Sequence, residues 1–359
     1  MNRPLIIAEA GVNHNGDLAR AEALVAAAAQ AGADVVKFQT FLTEELVTAE
    51  APKAAYQLRQ TGSEQSQAQM LKALELPWAA HHALKVQAES LGLEFLSTAF
   101  DRPSLRFLVD ELGLARLKLP SGELTNLPFV LDHARTGLPL IVSTGMATLA
   151  EIETALGVIA FGRIAPPSAA PSLAACAEAF CSAEGQAALR SGVTILHCTS
   201  DYPAAPEAVN LRAMDALAAA FGLPVGYSDH TLGTAVAVAA AARGAQVIEK
   251  HFTLDRALPG PDHEASLAPE ELAQMVRDLH TVADCLGDGI KRPQPSERAT
   301  AAVARKSVVA RRAIARGAVL CAEDLALRRP GTGLPPSALW TLPGTIAQRD
   351  YAPGDLLDE

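Results

Sequence analysis

Aromatic side chains are scarce in this chain, at 4% of 359 residues. The 49% of residues that are apolar must therefore pack largely as aliphatic side chains, alanine among them, which favours closely packed helices. An excess of positive charge is also lacking. Lys and Arg number 30 against 40 Asp and Glu, a formal net charge of -10. That balance excludes nucleic acid and an anionic membrane surface as general partners. It leaves room for a small anionic substrate, because a few local Lys and Arg residues dominate a pocket. Long hydrophobic runs are missing too. The Ala-rich stretch 235–242 is far short of the roughly 20 residues that span a bilayer. The apolar run after Met1 is too short for a signal segment and Glu9 interrupts it, so a cytoplasmic protein is expected. The five cysteines (176, 181, 198, 285, 321) are odd in number and lack CxxC spacing, which reads as reduced thiols.

What is present is an alternation of short apolar runs with Ala/Leu-rich helical stretches, the pattern of βαβ units. The runs are Leu5–Ala8, Val35–Phe38, Leu93–Leu96, Arg116–Leu119, Leu140–Val142, Val193–His197, Val225–Tyr227 and Gln246–Ile248. Eight is the number that closes a parallel barrel. Each run ends in polar groups: Glu9; Lys37 and Gln39; Ser97 and Thr98; Lys118 and Ser121; Ser143 and Thr144; Thr199, Ser200 and Tyr202; Ser228, Asp229 and His230; Glu249, Lys250 and His251. One polar residue after a strand commonly marks a turn. Eight of eight, with Lys and Glu inside or beside buried strands, point to a catalytic face.

Helices are expected over Leu18–Ala31, Pro77–Leu91, Ala147–Ile159, Thr234–Arg243 and Pro269–Leu286, four of them followed by a capping Gly. Two connections exceed what a plain barrel needs. Residues 40–76 follow the second run and are a candidate lid or substrate-binding loop. Residues 160–192, with the Pro/Ala/Ser-rich stretch Ala165–Ala175, read as a mobile surface insertion without chemistry. A barrel over 1–286, a linker over 287–300 and a small β-type domain over 301–359 complete the expected organisation.

The polar clusters then become specific. Ala8-Glu9-Ala10-Gly11-Val12-Asn13-His14-Asn15-Gly16, Val36-Lys37-Phe38-Gln39-Thr40, Lys118-Leu119-Pro120-Ser121-Gly122-Glu123, Ser143-Thr144-Gly145-Met146, Gly226-Tyr227-Ser228-Asp229-His230-Thr231, Glu249-Lys250-His251-Phe252 and Pro259-Gly260-Pro261-Asp262-His263 occur in order. Together they resemble the N-acetylneuraminate (sialic acid) synthase family. Arg328-Arg329-Pro330-Gly331-Thr332-Gly333 resembles that family's SAF (antifreeze-like, β-clip) domain. The resemblance implies a (β/α)8 TIM barrel followed by a SAF domain. It also implies condensation of phosphoenolpyruvate (PEP) with an open-chain N-acyl hexosamine, giving a nine-carbon 2-keto acid and phosphate. A divalent metal, manganese with magnesium or cobalt as substitutes, and a domain-swapped homodimer are implied as well.

Carried onto this sequence, the resemblance makes His230 and His251 the metal ligands. Two His residues 21 apart would by themselves equally be buried, hydrogen-bonded histidines. Lys37, Lys118, Ser121, Ser143, Ser200 and Ser228 become the PEP site; ion pairing with Glu9 or Glu249, and turn capping by serine, are the plainer readings. Ser200 stands where many members carry Asn, and still offers one donor. Glu9 and Glu249 are the acid/base candidates, with structural pairing as the alternative. Glu123 reads as an orienting carboxylate, and Gln39, Tyr202 and Asp262 as contacts to the sugar or the metal-bound aldehyde. Tyr56 and Gln57 are weaker candidates of the same kind. Arg329 is the residue expected to cross to a partner subunit and meet the N-acyl group. The principal expectation is an N-acetylneuraminate synthase using N-acetylmannosamine. The alternatives are a legionaminic or pseudaminic acid synthase using a diacetamido-dideoxyhexose, and a non-catalytic carbohydrate- or ice-binding protein.

Overall fold

The computed structural model describes residues 3–358. The chain divides into two compact units, Met1–Asp288 and Gly289–Glu359. In the first, eight parallel strands close a barrel in sequence order: β1 (Leu5–Gly11), β2 (Val35–Thr40), β3 (Glu94–Ala99), β4 (Leu117–Leu119), β5 (Leu140–Ser143), β6 (Val193–Cys198), β7 (Val225–Asp229) and β8 (Val247–His251). β8 pairs back onto β1, so the sheet has no free edge. Each strand's apolar run became a strand because its residues are buried on both faces, toward the barrel interior and toward the surrounding helices.

The helix Leu18–Ala31 is capped at its start by Asp17, whose side chain accepts from Ala19 N and Arg20 N, and stops at Gly32 with φ 80°. The helix expected over Ala147–Ile159 runs instead from Leu149 to Ile164. Thr148 starts it: Thr148 and Glu151 satisfy each other's backbone N–H in a capping box.

Neither long connection is a plain loop. Residues 40–76 contain the helices Thr43–Leu46, Ala55–Thr61 and Gln67–Leu74. Their Met70 and Leu74 pack with Val12 and Phe41 in a small apolar cluster apart from the main core. Residues 160–192, expected as mobile surface, hold the helices Leu173–Cys181 and Ala183–Gly192. Cys176, Ala179 and Leu189 are buried in the main core. Small residues made this packing possible: a Cβ at Gly157 would lie 3.0 Å from the Cys176 carbonyl oxygen.

The second unit pairs β9 (Ser307–Ala310) antiparallel with β10 (Leu325–Arg328) over its own core of Val308, Ile314, Leu320, Leu325, Tyr351 and others. The helix Glu297–Ala304 begins inside the stretch read as linker. Ala318–Leu320 forms no strand; Val319 makes an isolated bridge to Ile346. Among the described residues, no helix is long and apolar enough to cross a membrane.

Candidate active site at the barrel mouth

Strand alternation decides which polar residues face the barrel interior. Glu9 of β1 pairs in register with Lys37 of β2 and with His251 of β8; Ser228 of β7 pairs with Glu249 of β8. The four ionisable side chains Glu9, Lys37, Lys118 and Glu249 meet there, none more than 6% exposed. Lys37 forms an ion pair with Glu9, donates to Thr98 Oγ1 at 3.1 Å, and lies 3.6 Å from Glu249 Oε2. Lys118 Nζ donates to Glu249 Oε1 at 3.1 Å, and Ser228 Oγ donates to the same oxygen at 2.8 Å. Buried ions of both signs are tolerable because each has opposite charge in contact.

The two carboxyls nonetheless differ. Burial pushes Glu9 up to about 7 against the pull of Lys37, with Glu249 adding to the rise. Burial acts the same way on Glu249, but Lys118, then Lys37 and the Ser228 hydrogen bond, outweigh it and hold the carboxyl well below its ordinary value. Lys37 is raised: burial opposes its charge, and Glu249 and Glu9 together prevail. Glu249 is therefore a fixed anion, and Glu9 is the group poised to exchange a proton near neutrality.

Beside this cluster the rings of His230 and His251 lie 5.7 Å apart. His230 Nδ1 is 2.6 Å from the Thr199 carbonyl oxygen. A carbonyl only accepts, so Nδ1 carries the proton and the Nε2 lone pair faces the cavity, 3.4 Å from Ser228 Oγ. His251 Nδ1 is buried with no hydrogen-bond partner among the described residues, and the Asp262 carboxylate is 4.0 Å away. Burial lowers His230 to about 4 and takes His251 well below its usual value, with His230 adding to the latter. Both are neutral imidazoles, the form that binds a cation. Burial raises Asp262 to about 6, with Lys37 opposing. Among the described residues no group of three or more His, Cys, Asp or Glu side chains is arranged to hold a metal. A cation here would draw two ligands from the imidazoles and the rest from elsewhere. Gly11, at φ 53°, makes room for the arrangement: a Cβ there would lie 3.2 Å from both Glu9 Oε1 and His251 Cε1.

Two cavities of about 310 Å³ each open on these residues. The first is lined by the four charged residues, both histidines, Gln39, Tyr202, and Ser121, Ser143, Ser200 and Ser228. Ser121 Oγ accepts from Gly145 N at 2.9 Å. A side chain at Gly145 would collide with Ser200 Oγ and crowd Ser121 and Cys198, so the serine hydroxyls depend on glycine there. The second cavity shares Gln39, Tyr56, Tyr202 and His251 with the first and adds Gln57, Glu123 and Asp262. Part of its wall is hydrocarbon: Val12, Phe41, Leu46, Leu71, Leu74 and Phe100. Tyr202 stands between the two, its ring 4.1 Å from that of His230 and 5.0 Å from that of Tyr56. Arg329 belongs to the other unit, where it is exposed just after β10.

Five of the polar residues at the strand ends do not line the mouth; two of them, Thr144 and Thr199, donate their hydroxyls to the carbonyls of Leu196 and Ala208. Ser97 bonds Thr40, which bonds His81, on the outer side of the sheet. Asp229 and Lys250 pair with each other, fully buried beneath the helices. The same alternation that aims Glu249 and His251 inward turns Lys250 away. Sequence reasoning also missed Thr98 as the partner of Lys37, the Thr199 carbonyl that sets the His230 tautomer, and the hydrocarbon wall from residues 41–74. A backbone carbonyl leaves no side-chain signature; the alternation of Lys37 with Phe38, by contrast, was readable.

Comparison with known proteins matches the chain to a family. Residues 24–291 match the NeuB family and residues 305–359 match the SAF domain. The chain is 46% identical to N,N'-diacetyllegionaminic acid synthase of Legionella pneumophila, over 98% of this chain and 92% of that one. It is 44% identical to the enzyme of the same name from Campylobacter jejuni, over the full length of both. A crystal structure of N-acetylneuraminic acid synthetase from Leptospira borgpetersenii superposes with a TM-score of 0.67 at 32% identity, covering 83% of this chain and 90% of that one. These relatives fit the legionaminic alternative better than the principal expectation of an N-acetylneuraminate synthase. With most of its length inside the family's bounds, the chain belongs to the NeuB family and carries a SAF domain at its C-terminal side.

Proposed function

We propose that this chain condenses PEP with an open-chain diacetamido-dideoxyhexose, releasing phosphate and forming a nine-carbon 2-keto acid of the legionaminic type. The chain is an enzyme of the nonulosonic acid synthase kind. One observation carries the reaction class: two buried lysines, a carboxyl near neutrality, a fixed carboxylate and two neutral imidazoles share one cavity. The hydrocarbon wall of the adjoining cavity supports the choice of sugar. A hydroxyl of N-acetylmannosamine set against that hydrocarbon part of the wall would lose water without gaining a partner, whereas a methyl group loses little.

In this reading Lys37 and Lys118 neutralise the phosphate and carboxylate of PEP, with Ser121, Ser143, Ser200 and Ser228 as further donors. Gln39, Glu123, Tyr202 and Asp262 orient the sugar so that its aldehyde carbon faces C3 of PEP. The new bond joins those two carbons, and Glu9 supplies the proton that the aldehyde oxygen takes up. Water then adds to C2 of PEP and returns one proton to Glu9; as the C2–O bond breaks, the new C2 hydroxyl becomes the keto oxygen and its proton leaves with the inorganic phosphate. Glu249 holds both lysines in place throughout. His230 and His251 are the residues that would hold a divalent cation, manganese first, which supplies Lewis-acid polarisation of the aldehyde oxygen when bound.

Assays with PEP, Mn²⁺ and each sugar, read by phosphate release and product mass, test the reading. The diacetamido sugar should give the higher kcat/KM. Preference for N-acetylmannosamine would overturn the choice of sugar, and no phosphate release with any N-acyl sugar would overturn the reaction. The assigned role of Arg329, serving the N-acyl group in a partner subunit's barrel, has its own test. Mixed Arg329→Ala and Lys37→Ala proteins should regain about a quarter of wild-type activity, the share of intact sites in a random mixture of dimers. No recovery would overturn the sharing of the site between subunits.

A further inference from the structure

β8 carries Glu249, Lys250 and His251 in succession. The outer two face the cavity and Lys250 faces the helical layer, where it and Asp229 of β7 are both 0% exposed. Lys250 Nζ donates to Asp229 Oδ2 at 2.8 Å and also to the Thr231 carbonyl. The other oxygen of Asp229 accepts from Thr231 N at 2.9 Å, Thr231 Oγ1 at 2.8 Å and the Tyr227 hydroxyl at 3.3 Å.

Such a pair is a poor device for stability alone, because desolvating two ions cancels most of their attraction and an apolar pair of similar volume often does as well. What it fixes is geometry. The β7–β8 ladder ends at Asp229 opposite Lys250. One residue further on lie His230 and His251. His251 is held by its pairing with Glu9 of β1. His230 lies beyond the end of β7, and Lys250 grips the residue on each side of it, Asp229 by its carboxylate and Thr231 by its carbonyl.

We propose that Lys250 is a positioning residue that, through Asp229 and Thr231, fixes the separation and aim of the two imidazoles and hence their affinity for a divalent cation. The proposal rests on the reading of His230 and His251 as cation ligands. Its test is Mn²⁺ titration of the metal-stripped full-length protein by electron paramagnetic resonance, paired with thermal melting in the absence of metal. Wild type should bind one Mn²⁺, and His230→Ala should not. Lys250→Met and the double variant Asp229→Leu with Lys250→Met should both bind at least tenfold more weakly, while the double variant melts at or above the wild-type temperature. Binding within twofold of wild type in either variant overturns the proposal. So does weakened binding that tracks a lowered melting temperature in both, since the effect is then unfolding. Failure of wild type to bind, or undiminished binding by His230→Ala, overturns the cation reading itself, an outcome recognisable because it does not involve Lys250.

Discussion

The two cavities meet at Tyr202 and His251, yet they are built from different materials. One is walled by paired ions and hydroxyls, while the other adds leucine, phenylalanine and valine to uncharged and acidic polar groups. The charged wall comes from barrel strands and the residues just past them, while much of the apolar wall comes from the helical segment inserted after β2. The proposed function therefore assigns the reaction chemistry to the strand ends and part of the choice of sugar to the inserted segment, a division that substitutions in either place can test.

The largest effect is expected in the charged cavity. Lys118→Met strips Glu249 of its closest cation and leaves a partly unpaired buried charge, a loss of about 3–5 kcal/mol. We predict that kcat/KM falls roughly a thousandfold for both sugars alike, measured by phosphate release. An unequal loss for the two sugars would break the division between cavities. Glu9→Gln should lower kcat about a hundredfold, as removal of a proton-transfer group does. It should also erase an inflection near pH 7 from the wild-type rate profile, since Glu9 sits at about 7. Stability gives the sign. The folded value of Glu9 lies above its ordinary 4.5, so the folded state holds the proton more tightly. Its contribution is complete below pH 4.5 and is lost as pH rises through about 7. Chemical denaturation of wild type should show that decline, and Glu9→Gln should show less of it.

Smaller and more selective is Leu74→Gln, in the apolar wall. The ratio of kcat/KM between the diacetamido sugar and N-acetylmannosamine should fall about tenfold, with turnover of N-acetylmannosamine preserved. A uniform loss on both sugars would mean that the wall supports the fold and not the choice of sugar. Least of all should the cavities feel Leu189→Ala, in the insertion before β6. Leu189 is 1% exposed, so the substitution should cost about 2–5 kcal/mol of stability in a denaturant titration while kcat/KM stays unchanged.

The two long insertions show how far the sequence could be read. Both had the length and composition of loops, and both proved helical. Their consequences differ by position. Residues 40–76 lie between a strand's C-terminal end and its following helix, so they sit over the catalytic mouth. Residues 165–192 lie between a helix and the next strand, so they pack against the core away from it. The strands themselves were legible because every apolar run closed on a polar residue, and Glu9, Lys37, Lys118 and Glu249 followed from that. The direction of Lys250 was legible in principle from alternation with Glu249 and His251, but a Glu-Lys-His triplet reads first as three mouth residues. The difference between Glu9 and Glu249 was not legible, because it depends on Lys118 reaching across the barrel to one of them only. Arg329 lies in a separate unit, and its assignment rests on family likeness alone.

The ionic inventory of the mouth has a thermodynamic corollary. Above about pH 7, where Glu9 is ionised, two lysines offset two carboxylates, so the free cavity presents no net charge to a multiply charged anion. When PEP draws Lys37 toward its phosphate, Glu9 loses its counter-ion and its affinity for a proton rises further. Uptake of PEP should then be accompanied by uptake of a proton wherever the free protein holds Glu9 ionised, above about pH 7. Calorimetric heats of PEP binding would differ there between buffers of unequal ionisation enthalpy, and converge below pH 6, where Glu9 already carries its proton.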